Sequence, residues 1–151
     1  MTPSLVWTNL VCTLRNNPTL AVYIKNVFEG YRYNIEPESL PCIMLEPIQN
    51  DLKERRMNVT KDNYLDVDLY GFSTNNFTEF PKTIVGDNDY KGILDIEDDV
   101  RACLYSSYSL GDTIIDTIIQ PSKFDVGNIE KYPVRGFLMP LRFLYRQING
   151  T

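Results

Sequence analysis

The 151-residue chain has no histidine, only three cysteines, and no apolar run long enough to cross a bilayer. Without histidine, the commonest general base at neutral pH and the commonest transition-metal ligand are both missing. Ser-His and Cys-His nucleophile arrangements are excluded with it. The motifs GxSxG, P-loop and GxGxxG are absent as well. Cys12, Cys42 and Cys103 stand far apart with no CxxC spacing, so they read as small buried hydrophobes in a reducing compartment. The opening "MTPSLVWTNLV" lacks the basic region and long apolar stretch of a signal peptide, so residence in the cytosol is expected. The sequons at Asn58, Asn76 and Asn149 then carry no meaning. Positive charge is scarce: 15 Lys and Arg face 20 Asp and Glu, a net of −5, which argues against a general affinity for phosphate backbones.

What is present is an ordinary core composition with a surplus of tyrosine. A hydrophobic fraction of 43% in this length suits one domain, 1–151, with a single core. Ten tyrosines, seven phenylalanines and one tryptophan supply more amphipathic contact area than a small core uses, and such residues are enriched at interfaces.

Periodicity predicts an α+β chain. Thr2 as N-cap and Pro3 at the first helical position open an amphipathic helix over 3–15, closed by "NNP". The apolar run "LAVYIKNVFEGY" (20–31) suits a short strand or another helix turn equally, with a strand ending at Gly30 favoured. In "LPCIMLEPI" (40–48), Pro41 and Pro47 are expected at the two ends of a strand or on a sheet edge. The polar stretch 49–63 reads as a projecting arm. "YLDVDLYGF" (64–72) alternates strictly, with Leu65, Val67 and Leu69 on one face and Tyr64, Asp66, Asp68 and Tyr70 on the other. Residues 73–89 are rich in turn formers. Ile93, Ile96, Val100, Cys103 and Leu104 recur at helical spacing, with Asp95, Asp98 and Asp99 opposite them and Glu97 placed to pair with Arg101. "GDTIIDTIIQ" (111–120) favours a strand through its β-branched residues. "VRGFLMPLRFLYR" (134–146) puts Phe137, Met139, Leu141, Phe143 and Tyr145 on one face, with Pro140 marking an edge or bulge. These last two strands are expected to pair antiparallel through a loop at 121–133.

Two patterns bear on chemistry. "DNDYKGILDIED" (87–98) partly matches a calcium loop through Asp87, Asp89, Gly92 and Leu94, but Lys91 sits where a ligand belongs and Asp98 is shorter than the required Glu. Asp66 and Asp68 would stand about 7 Å apart on one strand face, a separation compatible with glycoside hydrolysis. An open strand face offers no apolar pocket to raise the pKa of a catalytic acid, so a solvated or partner-facing surface is the expected reading. The basic cluster Lys53, Arg55 and Arg56, interleaved with Asp51 and Glu54, suits a protein contact better than a phosphate track.

The order of these pieces resembles the tail-terminator and head-to-tail joining proteins of long-tailed bacteriophages. The features in common are the short N-terminal helix, "VFEGY" leading to "LPCIMLEPI", the charged arm, "YLDVDLYGF", the acidic central helix and two closing strands. The resemblance implies a small α+β subunit, with a mixed or mainly antiparallel sheet flanked by an N-terminal and a central helix. It further implies a homo-oligomeric, usually hexameric, ring that caps the tail tube and contacts the tail tube protein and the head-connector (stopper) protein. DNA would pass the lumen without specific binding. Assembly would take place in host cytoplasm and the product would reside in the virion neck, with no membrane, cofactor, metal or catalytic residue involved. Within that reading, Lys53, Arg55 and Arg56 would meet Asp95, Asp98 and Asp99 of a neighbouring copy head to tail. The alternatives are another neck ring protein, a stopper or head-tail adaptor, and, from a different class, a small carboxylate-based hydrolase.

Overall fold

A computed structural model describes residues 2–52, 60–73, 84–86, 91–111, 114–129 and 132–148. The elements run α1 (Pro3–Asn16), α2 (Pro18–Ala21), β1 (Asn26–Glu29), β2 (Cys42–Leu52), β3 (Thr60–Phe72), α3 (Ile93–Ser106), β4 (Asp116–Ile119), β5 (Lys123–Ile129) and β6 (Tyr132–Ile148). The six strands form one sheet in the order β1-β2-β3-β6-β4, with β5 also pairing β6. Only β1 and β2 are parallel; every other pair is antiparallel. The fold is therefore the α+β arrangement that the periodicity predicts.

Both long helices cover the same face of this sheet. Val6, Leu10, Val11 and Leu14 of α1 join Ile93, Ile96, Val100, Cys103 and Leu104 of α3 in one core. The sheet side of that core is Ile43 and Leu45 of β2, Leu65, Val67 and Leu69 of β3, and the five alternating residues Phe137 to Tyr145 of β6. The Thr2 hydroxyl accepts from the Leu5 amide at 3.3 Å, capping α1 as its sequence predicts. Gly92 stands at the N-cap of α3, and a Cβ there would run into the Ile84 carbonyl and the Gly86 amide. The close approach of two backbone segments thus demands glycine.

Several expectations change against the structure. Leu20 and Ala21 are helical because the Asn17 side chain accepts from both Thr19 and Leu20 amides at 3.0 Å, with Pro18 starting the turn; the strand is only 26–29. Pro47 does not end β2. The register shifts between Pro47 and Gln49, so a bulge absorbs the missing donor and pairing resumes through Leu52. The expected arm at 49–63 is consequently shorter at both ends, since 49–52 and 60–63 are paired strand and 53–59 lie outside the described residues. Among the described residues of 111–120 only Asp116–Ile119 is strand; Leu110 and Gly111 take positive φ and turn the chain after α3.

Two further differences concern β6. The stretch 121–133 is not a loop alone; it contains β5, which pairs β6 from Lys123↔Leu138 to Ile129↔Tyr132. Pro140 makes no bulge against β3. It faces the gap between β4 and β5, where no ladder donor is needed, and Gln120 donates to its carbonyl at 3.0 Å. Among the cysteines, Cys42 and Cys103 are buried, which pushes their thiols up to about 12 and about 11, whereas Cys12 is exposed. Among the described residues no helix is long and apolar enough to cross a membrane.

Candidate functional site

Among the described residues, no α-helix covers the second face of the sheet. Its alternate residues are Tyr64, Asp66, Asp68, Tyr70 and Phe72 of β3, flanked by Glu46, Met44 and Cys42 of β2 and by Arg142, Pro140 and Leu138 of β6. At one end, the segment 30–41 folds over it: Leu40, Cys42, Met44 and Val134 form a small second cluster, with Phe28, Tyr31 and Ile35 against it. The remainder of the face is only half-buried.

Register decides what each carboxylate does. Asp66 lies opposite Arg142, which donates from Nε to Oδ1 at 2.8 Å and from Nη2 to Oδ2 at 3.0 Å, a fork that occupies both carboxylate oxygens. The guanidinium also lies 5.0 Å from the centre of the Tyr64 ring. Asp68, two residues on, faces Pro140 on one side and Glu46 on the other, so it has a like charge across the strand rather than a cation. Burial first, and Asp66 second, push its carboxyl above the ordinary value of 3.8. The two aspartates of the alternating strand do share an open face as expected, but among the described residues only Asp66 is held by an ion pair.

Glu46 borders a cleft that the sequence reading missed. Its Oε2 accepts the Tyr31 amide at 2.8 Å. The Tyr31 ring stands edge-on to Tyr33 at 4.9 Å and to Tyr70 at 4.7 Å, so three tyrosines and a carboxylate line a cleft of about 420 Å³. The sequence signal is faint: "YRY" at 31–33 alternates aromatics, but only the parallel pairing of β1 with β2 brings it over Glu46.

The carboxylates of α3 serve their own helix. Asp95 Oδ2 accepts from the amides of Gly86 at 2.8 Å and Gly92 at 3.2 Å, closing the helix N-terminus. Asp99 accepts from the Tyr23 hydroxyl at 2.7 Å and lies 3.4 Å from the Lys91 ammonium; Tyr23 is raised above its ordinary value chiefly by burial and then by this bond. Asp98 alone of the three is exposed. Their proposed partners Lys53, Arg55 and Arg56 lie outside the described residues. Residues 93–98, the second half of the calcium-loop match, are helix rather than loop; Asp87 and Asp89 fall outside the described residues.

The strand β5 is the least covered element. Lys123 to Gly127 are all exposed, and Phe124 and Val126 remain 48% and 46% accessible although both are large and apolar. Phe124 leans on Phe137 at 6.2 Å between ring centres. The Asp125 carboxylate accepts its neighbour's amide, Val126, at 2.7 Å, and Asp116 does the same for Thr117 in β4 at 2.8 Å. Both edge strands thereby spend a donor internally, which blunts strand addition. On the opposite edge, Arg15 donates to the Val27 carbonyl of β1 at 2.8 Å and Trp7 donates to Glu29 at 2.7 Å.

A scan of the chain against protein-family models finds no match, and neither does a search of curated proteins.

Proposed function

We propose that the chain is a structural ring subunit of the tail-terminator type, which caps a phage tail tube and joins it to the head connector. The observation that carries this reading is β5: a strand attached to β6 alone, with Phe124 and Val126 accessible side by side on an edge whose backbone is partly self-capped. A neighbour that packs on those side chains buries apolar area without adding a strand, which suits a head-to-tail contact repeated around a ring. The charge contact between copies then falls to the basic stretch Lys53, Arg55 and Arg56 and to Asp98, because Asp95 and Asp99 have partners within their own subunit. The role is structural rather than catalytic, since Asp66 is committed to Arg142.

Light scattering and native mass spectrometry of the purified chain test the reading. A closed ring is expected, six-membered if the family resemblance holds, and Phe124→Ser with Val126→Ser should return it to single subunits that keep their fold. In electron micrographs, rings should sit on the ends of tail tubes and stop their growth. A lone subunit at the highest soluble concentration, or rings untouched by the double substitution, would overturn it. Reversing Arg55 and Arg56 to glutamate, with mass measured in the same way, reports separately on the charged contact.

A further inference from the structure

The unmatched charge of Glu46 and Asp68 has no described counter-ion, yet the two stand directly opposite each other on adjacent strands. Cross-strand neighbours lie about 5 Å apart, where like charges oppose folding. Among the described residues no ion pair relieves them. Arg142 is forked onto Asp66, and Arg32, the only basic residue of 30–41, is stacked over the Phe28 ring at 4.4 Å. Lys123 shares the face but lies two strands from Tyr70, beyond Leu138, or roughly 10 Å away. The same segment adds exposed Glu36 and Glu38, so the negative field is not confined to one pair.

Beside this charge stand the three tyrosine rings. The Tyr31 ring meets those of Tyr33 and Tyr70 edge to face, and all three line the cleft that Glu46 borders. Aromatic faces attract a weakly hydrated cation, and a carboxylate fixes its position; guanidinium satisfies both through its flat, forked geometry. Past Tyr31 and Tyr70 the cleft continues into a largely apolar groove of about 490 Å³ bordered by Phe72, Phe124, Val126 and Leu138 and by the charged pair Lys123 and Asp125. A small free cation has no use for that apolar extension. A polypeptide with an aliphatic residue beside its arginine does.

We propose that this face is a docking site for an arginine-bearing segment of another polypeptide, its guanidinium seated among Tyr31, Tyr33, Tyr70 and Glu46. The cleft itself uses none of Phe124, Val126 and the stretch 53–56, so variants at Glu46 and Tyr33 leave the proposed ring contact in place; only the groove beyond it shares Phe124 and Val126. Binding supplies the positive charge that Glu46 and Asp68 lack, and buries apolar side chains along the groove.

Calorimetry on the full chain tests it with a short blocked peptide carrying arginine next to leucine, its citrulline counterpart, and tetramethylammonium chloride. The arginine peptide should bind saturably, with the citrulline form roughly tenfold weaker. Glu46→Gln is expected to weaken the arginine peptide by a similar factor, and Tyr33→Ala by about threefold. Tyr33 is 90% exposed, so its loss leaves the fold intact. Asp98→Asn, which removes an exposed charge elsewhere, should change nothing. The proposal is overturned if no saturable heat appears, if Glu46→Gln and Asp98→Asn weaken binding equally, or if tetramethylammonium binds as tightly as the peptide. The last result would assign the cleft to a free cation.

Discussion

The two faces of the sheet are drawn from the same strands and differ in what covers them. Toward the helices, β3 presents Leu65, Val67 and Leu69 and β6 presents Phe137 to Tyr145, all closed beneath α1 and α3. Away from them, the intervening residues are Tyr64, Asp66, Asp68, Tyr70 and Arg142, half-buried and joined by ion pairing and ring contacts. One set of positions holds the molecule together by removing apolar surface from water, and its neighbours, one residue away, are free to specialise in recognition.

That contrast is testable by substitution on each side. Phe143→Ala removes a fully buried ring from the helix face and is expected to cost about 3–5 kcal/mol, read as a lower denaturant midpoint. On the other face, Arg142→Ala breaks the fork to Asp66, a partly exposed pair, and should cost about 1 kcal/mol, with the loss shrinking as salt is raised. An equal loss on both faces would erase the distinction. The smallest effect has the opposite sign. The folded Asp68 carboxyl is raised, so it costs stability at any pH above its ordinary 3.8, and acid relieves that cost as the group protonates through its folded value. Asp68→Asn is therefore expected to raise the melting temperature slightly at neutral pH and to leave it unchanged below pH 3.8. A fall at neutral pH would mean that Asp68 has a stabilising partner.

The helix face was legible in the sequence because its signals are local and periodic. Strict alternation at 64–72 and 137–145, and the 3.6-residue recurrence from Ile93 to Leu104, each need only their own segment. The other elements depend on neighbours far along the chain. Phe124 and Val126 alternate within "KFDVGNI", but Gly127 and the polar residues around them resemble a turn, and only β6 makes that stretch a strand. Pro47 reads as a terminator unless the bulge against β3 is known. The cleft at Glu46 combines a tyrosine pair from 31–33, a ring from β3 and a carboxylate from β2, three segments that no single periodicity connects. The acid-rich start of α3 has a reason within the helix, the favourable dipole at its N-terminus, and capping by Asp95 and the Tyr23 hydroxyl at Asp99 add partners that only the folded chain supplies.

Gly71 of β3 lies beneath the Phe137 ring on the helix face, and Gly136 of β6 lies against the Phe72 ring on the other, with Gly71 paired to Phe137 and Phe72 to Gly136. Each strand thus offers one tooth and one notch, in reversed order. Sliding either strand by a single step would bring tooth against tooth in one direction and notch against notch in the other, and would exchange interior for exterior along its whole length. The joint is keyed, so two segments far apart in the chain can lock in one alignment only.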